Sequence, residues 1–405
     1  MIKKYNTTIR SRKFAAAIFF AAAGALVAAV PASAETLTIA LPDAEAKDGA
    51  LVLSGKNGKI AEFKASAYAQ VQYLYASSSG NGSDNNGFTL RRTDIALSAK
   101  IDEVWSGAVA FEFDSKNSGG VADNGYIEYA YIGYTTDAGT LKVGQLKPHF
   151  LQEEITSCLK LPAIERSIAT NYLSSTGADV RGLSAAHIGI FWDGKFSKNT
   201  LYGISLTNAV GQDYDARSNA LSVTAYAETA VDFDQKTKAV FGLSGVVNFG
   251  NDGATPTEIA NGTEKSTPLT NAGTVYGIEP YVKISSGGLN VLLDGYYVNG
   301  NESSHVSDTL AAIGIVSYRF ENGIEPVARI ARLRAKTQDG GVRANYQANV
   351  PATAEHTNAV TYYAGANYYV NEHVKISAGY EYGRYFGAGK SEDSNALRAQ
   401  FQVAF

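Results

Sequence analysis

The sequence predicts an all-β protein, a transmembrane antiparallel β-barrel of about 16 strands with a long third loop folded into the lumen. Three observations support this fold class. Apolar residues alternate with other residues at a period of two, in runs of about ten residues, the length of a tilted strand that crosses a bilayer. The connections between these runs are alternately short and long. Charged residues are 18% of the 405 residues, with 40 Gly and 25 Tyr, whereas typical soluble proteins are about 25% charged.

The N-terminal residues have the pattern of a secretory signal peptide. Basic residues up to Lys13 precede an apolar run from Phe14 to Val30, and Ala32-Ser33-Ala34 ends the segment with small residues. The alternative is an uncleaved anchor helix. We predict a cleaved signal peptide over 1–34, a short N-terminal periplasmic segment over 35–58 and an outer-membrane β-barrel over 59–405.

Composition excludes several classes of protein. Beyond residue 34 no stretch approaches the roughly 18 consecutive apolar residues of a membrane-spanning helix. A single Cys excludes a disulfide framework and a multi-cysteine metal site. The chain carries 35 Lys and Arg against 39 Asp and Glu, and removal of the basic signal peptide makes it more acidic still. Nucleic acid is therefore excluded as a partner.

Period-two alternation predicts the individual strands. It is clearest at the C-terminus, where Leu397, Ala399, Phe401, Val403 and Phe405 alternate with mostly polar residues. The predicted strands are 61–76, 88–100, 104–115, 125–135, 138–147, 181–193, 199–210, 219–233, 238–250, 273–285, 288–299, 309–320, 323–336, 358–370, 373–386 and 395–405.

The connections indicate which kind of β protein this is. Those after even-numbered strands are short, such as Thr136–Asp137 and Asn371–Glu372, whereas those after odd-numbered strands are longer, such as Ser77–Gly87 and Thr337–Thr357. Outer-membrane barrels have this asymmetry of periplasmic turns and outer loops, and a soluble sandwich or a solenoid gives no reason for it. Sixteen strands enclose enough space for an aqueous channel, so we expect a pore.

The third outer loop, about Pro148 to Val180, is the longest connection and carries apolar residues such as Ile155, Leu161 and Ile168. Such a loop can bury these residues only by folding inward, where it would narrow the pore. The alternative is an outer lid or a trimer-contact loop. The candidate constriction residues in this loop are Lys160, Glu165 and Arg166.

Phe405 ends the last strand. A terminal aromatic residue on an alternating strand is similar to the signal by which the barrel-assembly machinery recognises outer-membrane proteins. The alternative is a simple apolar strand end.

Two segments resemble the phosphate-selective porin O and P family. They are Phe88–Lys100, FTLRRTDIALSAK, and Val143–Arg166, VGQLKPHFLQEEITSCLKLPAIER. The shared features are Arg91-Arg92, Val143-Gly144-Gln145 before Lys147-Pro148, Glu153-Glu154-Ile155-Thr156-Ser157 and Glu165-Arg166-Ser167. The resemblance covers about residues 60–170. It implies a trimeric sixteen-stranded channel whose third loop forms the constriction and whose lumenal Arg and Lys pass phosphate, polyphosphate or other small anions.

Alternation predicts a lumen of mixed charge, which departs from that chemistry. The predicted inward bases are Arg92, Lys100, Lys142, Lys283, Arg319, Lys375 and Arg398. The predicted inward acids are Asp94, Glu112, Asp114, Glu128, Glu228, Asp232, Glu279, Asp294 and Glu381. Asp94 is placed to pair with Arg92, and Arg91 is left as a candidate rim residue. Because anion pores need rings of Arg or Lys, we expect weak charge selectivity.

A second basic cluster lies on the strand 323–336. Arg332, Arg334 and Lys336 share one face, and Arg329 lies below them. The predicted arrangement places all four in the lumen, which requires a β-bulge. The alternative is that the upper three face outward at the rim and pair with lipid phosphates.

The sequence predicts no enzyme, no catalytic residues, no metal site and no cofactor. The five histidines are scattered, without His-Glu-x-x-His or Gly-x-Ser-x-Gly motifs. Cys158 is expected to be a small buried residue of the third loop.

The function that we predict is an outer-membrane porin for passive diffusion of small hydrophilic solutes, with anions such as phosphate as an option. The alternative is a surface adhesin or structural protein without an open pore. The expected location is the outer membrane of a Gram-negative-type bacterium. The expected partners are outer-membrane lipid and lipopolysaccharide, the barrel-assembly machinery and two further copies of the chain in a homotrimer.

Overall fold

The computed structural model describes residues 44–47, 50–53, 62–79, 81–113, 125–174, 183–208, 221–249, 257–260, 263–266, 274–300, 307–336, 356–387 and 389–405. The predicted signal peptide and the predicted inward Asp114 lie outside the described residues. Within the described ranges, no helix is both long and apolar enough to cross a membrane.

Strands dominate the described residues. They are β1 (Ala44–Lys47), β2 (Ala50–Leu53), β3 (Glu62–Ser78), β4 (Asn81–Lys100), β5 (Trp105–Phe113), β6 (Gly125–Thr136), β7 (Gly139–Leu146), β8 (His187–Lys195), β9 (Thr200–Asn208), β10 (Leu221–Asp232), β11 (Thr237–Phe249), β12 (Thr257–Ala260), β13 (Thr263–Ser266), β14 (Thr274–Ser286), β15 (Leu289–Gly300), β16 (Ser307–Tyr318), β17 (Ile324–Lys336), β18 (Asn358–Tyr369), β19 (Val374–Gly387) and β20 (Lys390–Ala404). Two helices, α1 (Gln152–Ile155) and α2 (Ile168–Ser174), lie between β7 and β8.

The sixteen strands β3–β11 and β14–β20 form a closed antiparallel barrel, as predicted. Each pairs with its neighbour in the chain, and β20 pairs with β3 to close the ring. The closing seam extends to the last residue, because Phe405 and Ala67 exchange two backbone hydrogen bonds of 2.9 and 2.6 Å. Closure satisfies the backbone groups of every edge, which lipid cannot do.

Three details differ from the predicted strands. β4 begins at Asn81 instead of residue 88, so the first outer loop is shorter than expected. β8 begins at His187 instead of residue 181. The β1–β2 hairpin lies within the predicted periplasmic segment and pairs with the start of β3, with Leu51 opposite Ala65.

The short turns are closed by single side chains. The carboxylate of Asp102 accepts hydrogen bonds from the backbone N–H groups of Val104 and Trp105, at 2.8 and 2.6 Å. An Asp or Asn side chain accepts backbone hydrogen bonds in the same way in three other short turns, at Asp234, Asn322 and Asn371. Asp and Asn favour such turns because their side chains replace a backbone acceptor.

The outer face of the barrel is apolar, as expected of a surface that meets lipid. Large exposed residues include Leu293, Leu243 and Phe401. Aromatic residues with exposed rings lie near both ends of the strands; they include Tyr134, Tyr318 and Tyr368 towards the short turns and Tyr276, Tyr297 and Tyr362 towards the long loops.

Part of the inner face is also apolar, whereas alternation predicts a polar lumen. Ile313 and Ile315 on β16 and Ala331 and Leu333 on β17 are buried in one cluster with Tyr172 of α2. Both faces of β16 are therefore apolar, because Ile313 and Ile315 point inward. The third loop covers this wall.

Candidate channel constriction

The third loop, residues 147–186 with 147–174 and 183–186 described, is fixed to the barrel wall by ion pairs. The carboxylate of Glu165 forms ion pairs with two arginines of β4. It lies 2.8 Å from Nε of Arg91 and 2.9 Å from Nη2 of Arg92. Gln72 Nε2 donates to the same carboxylate at 2.8 Å. Burial would raise the pKa of the Glu165 carboxyl, but the charges of Arg91 and Arg92 outweigh it and hold the pKa well below its usual value.

A β-bulge brings the two consecutive arginines to one carboxylate. Arg92 pairs with Gln70 of β3, whereas Leu90 already pairs with Val71, so Arg91 is the extra residue. The bulge turns Arg91 inward beside Arg92. The candidate rim position of Arg91 is therefore wrong, because simple alternation cannot place neighbours on one face.

Arg329 binds a second acidic residue of the loop. Its Nη1 lies 3.0 Å from Glu153 Oε1, and its Nη2 lies 2.5 Å from Glu381 Oε2 of β19. Nη1 also donates to the backbone carbonyl of Glu165 at 2.6 Å. Arg398 lies 3.8 Å from the other oxygen of Glu381. Both terminal nitrogens of Arg329 thus bind loop or wall acceptors.

Arg166 folds back within the loop. Its Nε lies 3.1 Å from Glu154 Oε2, while Lys147 Nζ lies 2.9 Å from Glu154 Oε1 and 3.4 Å from Glu128 on β6. Burial acts to raise the pKa of Glu154, and the charges of Arg166 and Lys147 reverse the effect, so that the pKa is lowered. These pairs place the Glu154 carboxylate between two cations of the loop.

The loop starts at a backbone anchor. Leu151 has a φ of 66°, a conformation that few residues other than Gly adopt. The backbone N–H groups of Leu151 and Gln152 donate to the carboxylate of Glu279 on β14, at 2.9 and 2.8 Å. Tyr296 on β15 donates its hydroxyl to the carbonyl of Ala169 in α2, at 2.6 Å.

The loop tip approaches the short-turn end of the barrel. Lys375 Nζ, one residue beyond the first residue of β19, donates to the carbonyls of Leu159 and Leu161 at 3.0 and 3.3 Å. Asn367 Nδ2 donates to the carbonyl of Pro162 at 2.9 Å. Lys160 itself is exposed at the tip.

These contacts place the described parts of the loop inside the ring of strands. Arg91 and Arg92 lie on β4 and Glu279 lies on β14, which are eight strands apart in a ring of sixteen. One segment can contact opposite walls of a closed barrel only from within. Its apolar side chains, such as Phe150, Ile168 and Leu173, pack against the inner face of β14–β18.

The inner wall of β4 to β10 is polar instead. Asp94 and Glu112 are register partners and both are buried. Arg92 bonds Gln70 and Glu165 and is not the partner predicted for Asp94. Further along this wall, Lys142 lies 2.9 Å from Asp193.

An aromatic pair lies beside that ion pair. The rings of His149 and Tyr226 stack with centroids 3.6 Å apart. The hydroxyls of Tyr226 and Tyr281 donate to Asp193 and Glu228, at 3.1 and 2.9 Å. Burial lowers the pKa of His149 to about 4, with the charge of Lys283 acting in the same direction, so His149 is neutral at pH 7.

The predicted site residues fall into two groups. The structure brings together Arg92, Glu165, Arg166 and Arg329 at the loop, with Asp94 on the adjoining wall. The lumenal placement of Arg332 and Arg334 is wrong: both are exposed and alternate with the buried inward residues Ala331, Leu333 and Ala335. β17 pairs with β18 in unbroken register, so the bulge that this prediction required is absent from the described part of β17.

Several wall residues that hold the loop were not predicted from the sequence. Gln72 and Tyr296 bind the loop, and Glu279 was predicted only as an inward acid. The one available signal was the loop's density of acidic residues, since Glu153, Glu154 and Glu165 each require a cationic or N–H partner once buried.

The comparisons with known proteins agree with this geometry. Residues 63–267 match the family Phosphate-selective porin O and P. No curated protein matches the chain.

Solved structures of outer-membrane channels share the fold. The outer membrane channel DcaP of Acinetobacter baumannii superposes with a TM-score of 0.57 at 13% identity, over 87% of this chain and 99% of that one. An anion-selective porin from Comamonas acidovorans superposes with a TM-score of 0.57 at 12% identity, over 85% of this chain and 99% of that one. OprB of Pseudomonas putida superposes with a TM-score of 0.59 at 9% identity, over 85% of this chain and 94% of that one. With a family match over half of its length and a closed sixteen-stranded barrel, the chain belongs to the phosphate-selective porin O and P family.

Proposed function

We propose that this protein forms a water-filled channel in the outer membrane for passive diffusion of small hydrophilic solutes. The observation that carries the proposal is the one-sided placement of the third loop. The loop packs its apolar side on the inner face of β14–β18, and the wall of β4–β10 carries polar side chains that are only partly buried, among them Glu128, Asp193 and Tyr226. We assign these side chains to the lining of a passage whose width the loop limits.

The charges at the loop support weak selectivity instead of phosphate selectivity. Anion pores present unneutralised rings of Arg or Lys to the solute. Here Arg91 and Arg92 share the single carboxylate of Glu165, and Arg329 is held between Glu153 and Glu381. The Arg pair that resembles the family motif therefore acts as a clamp for the loop.

A second candidate function, a surface adhesin or structural barrel without an open pore, is supported by the extent of the apolar cluster inside the barrel. Planar bilayers separate the two. The purified protein should give stepwise conductance increments, whereas a barrel plugged by its loop gives none.

The same measurement tests the role of the loop. Replacing Ser157–Ala163 by two glycines removes the tip and the contacts of Lys375 and Asn367. We expect a larger conductance step, and an unchanged step when five residues are instead removed from the connection between β17 and β18. An unchanged step in the tip variant would contradict a constriction at the third loop.

The proposed assembly is a homotrimer inserted by the barrel-assembly machinery into a membrane whose outer leaflet contains lipopolysaccharide. The family supports the trimer, and the aromatic C-terminus supports recognition by that machinery. Chemical cross-linking of intact outer membranes should yield a species of three chains, and a ladder that ends at one chain would contradict the trimer.

A further inference from the structure

Three arginines lie on the outer face of the barrel, where lipid is the expected neighbour. Arg332 and Arg334 on β17 and Arg384 on β19 are all exposed. Arg332 pairs with Val360 of β18, which pairs with Arg384. Because neighbouring strands are about 4.8 Å apart, the backbones of Arg332 and Arg384 are separated by about 10 Å.

The position of these arginines along the strands places them near the outer boundary of the bilayer. Arg334 is ten residues beyond Ile324, and Arg384 is ten residues beyond Val374, which are the first residues of their strands at the short-turn end. Ten residues at about 3.3 Å each, tilted by about 40°, rise about 25 Å. That distance equals the height of the apolar band of an outer-membrane barrel.

Aromatic residues mark the same boundary. Tyr362 and Tyr382 are register partners, with ring centroids 6.5 Å apart, and they lie in the row next to Arg332 and Arg384. Tyr rings concentrate at the level of the lipid headgroups. The three guanidinium groups therefore reach the layer that contains lipid phosphates.

Ion pairs within the described residues do not account for these charges. Among the described residues, none forms an ion pair with Arg332, Arg334 or Arg384. Asp393, the register partner of Arg384, accepts the hydroxyl of Tyr382 at 2.9 Å. Phosphate oxygens at this boundary match the guanidinium fork of an arginine.

An apolar groove begins beside Arg332. Its floor is formed by small or flat residues on β14–β16, and its sides by larger apolar residues. The floor residues are Pro280, Gly295, Ala312 and Gly314, and the side residues are Phe241, Leu293 and Ile330. Ala312 is the register partner of Arg332, so the groove and the charge are adjacent.

We propose that this outer surface is a binding site for lipopolysaccharide, with Arg332, Arg334 and Arg384 on its phosphate groups and an acyl chain in the groove. The three arginines match the phosphate groups of a phosphorylated glycolipid, and the apolar groove matches one of its acyl chains. The inference rests on the proposed outer-membrane location, but it does not require an open channel.

Binding of rough-type lipopolysaccharide to the purified full-length barrel in detergent tests the proposal. The triple variant R332Q/R334Q/R384Q should bind at least about tenfold more weakly than the wild type, because three charge-assisted contacts are lost. Dephosphorylated lipopolysaccharide should bind both proteins equally. The Ala312→Trp variant, which fills the groove and keeps the charges, should also bind more weakly.

The matched control removes the same charge at the other end of the barrel. Lys195, Lys236 and Lys238 are exposed near the short turns, and the variant K195Q/K236Q/K238Q should bind like the wild type. Equal loss in both triple variants, or wild-type binding by R332Q/R334Q/R384Q, would overturn the proposal. Loss of the trimer without loss of lipid binding would also overturn it and assign this face to a second copy of the chain. Conductance is measured in parallel, and wild-type steps in R332Q/R334Q/R384Q separate this site from the channel.

Discussion

Arg329 of β17 and Glu153 of the third loop form an ion pair of 3.0 Å in which both side chains are 1% exposed. Glu153 also accepts the backbone N–H of Ser167 and the hydroxyl of Thr170, at 3.0 and 2.8 Å. The carboxylate thus connects the wall, α1 and the start of α2. Loss of the guanidinium leaves Glu153 buried without its cation and leaves Glu381 with Arg398 alone, at 3.8 Å.

We expect Arg329→Gln to destabilise the protein by about 3–5 kcal/mol, the usual cost of removing one partner of a buried pair. Denaturant unfolding in detergent, followed by tryptophan fluorescence, measures the change. Arg319→Gln is the control, since Arg319 is exposed and stacks on Tyr369 at 3.8 Å; it should cost less than about 1 kcal/mol. Equal costs would show that the Arg329 pair does not hold the loop.

Charge selectivity should be weak in the wild type and sensitive to the loop tip. The reversal potential in a potassium chloride gradient should be small, and Lys160→Glu should shift it towards cations, because Lys160 is exposed at the constriction. The R332Q/R334Q variant should leave it unchanged, because both side chains face outward. A strong anion preference in the wild type would contradict the placement of charges described above. A reversal potential of R332Q/R334Q that differs from that of the wild type would also contradict it.

The pH dependence of the third loop follows from Glu165. Its pKa is lowered well below the usual value, so its ion pairs contribute their full stability above the unfolded-state pKa of about 4.3. That contribution is lost as pH falls below this value towards the folded-state pKa. Conductance should therefore be equal at pH 7 and pH 5 and become noisier only in stronger acid.

Glu165→Gln should produce the noisy state already at pH 7, because Arg91 and Arg92 then lack their carboxylate. Lowering the pH further should have little additional effect on this variant. If wild-type conductance changes between pH 7 and pH 5, another group holds the loop.

The bulge at Arg91 makes a prediction about chain length. Deleting Arg91 removes the extra residue and restores a regular β3–β4 ladder, so the barrel should still fold. Deleting Thr93, which pairs with Ala69 and Phe113, shifts the preceding part of β4 by one residue and moves its side chains to the other face. The folded fraction on an unheated gel should be near wild type for the first deletion and low for the second.

Strand positions were predictable because period-two alternation persists along nearly every strand. The predicted span 358–370 differs by one residue from β18. Register also follows, since a one-residue slip would move apolar side chains of the outer face into the lumen. At the C-terminus, the alternation that predicts the last strand agrees with the closure of the barrel, because Phe401 of β20 pairs with Val71 of β3.

The inner face was less predictable. Alternation gives the period of a strand, but it does not show which face a loop will cover. Ile313 and Ile315 are inward because the third loop shields them from water. Arg91 is inward because of a bulge, and Arg332 is outward because β17 has none where one was expected. Each outcome depends on contacts between residues that are far apart in the sequence.

The last prediction concerns Phe405. Its side chain is 61% exposed, and its hydrogen bonds to Ala67 use only the backbone. Phe405→Ala should therefore cost the folded barrel less than the roughly 1.5–3 kcal/mol of a fully buried side chain. We expect the amount of folded barrel in the outer membrane to fall several-fold nevertheless, because we propose that the barrel-assembly machinery recognises the terminal aromatic. Phe401→Ala is the matched control, since Phe401 lies on the same face of β20 and is 48% exposed. Comparison of boiled and unboiled membranes on a gel measures the folded fraction. Equal loss in the two variants would assign the effect to stability, whereas loss confined to Phe405→Ala would assign it to recognition of the C-terminus.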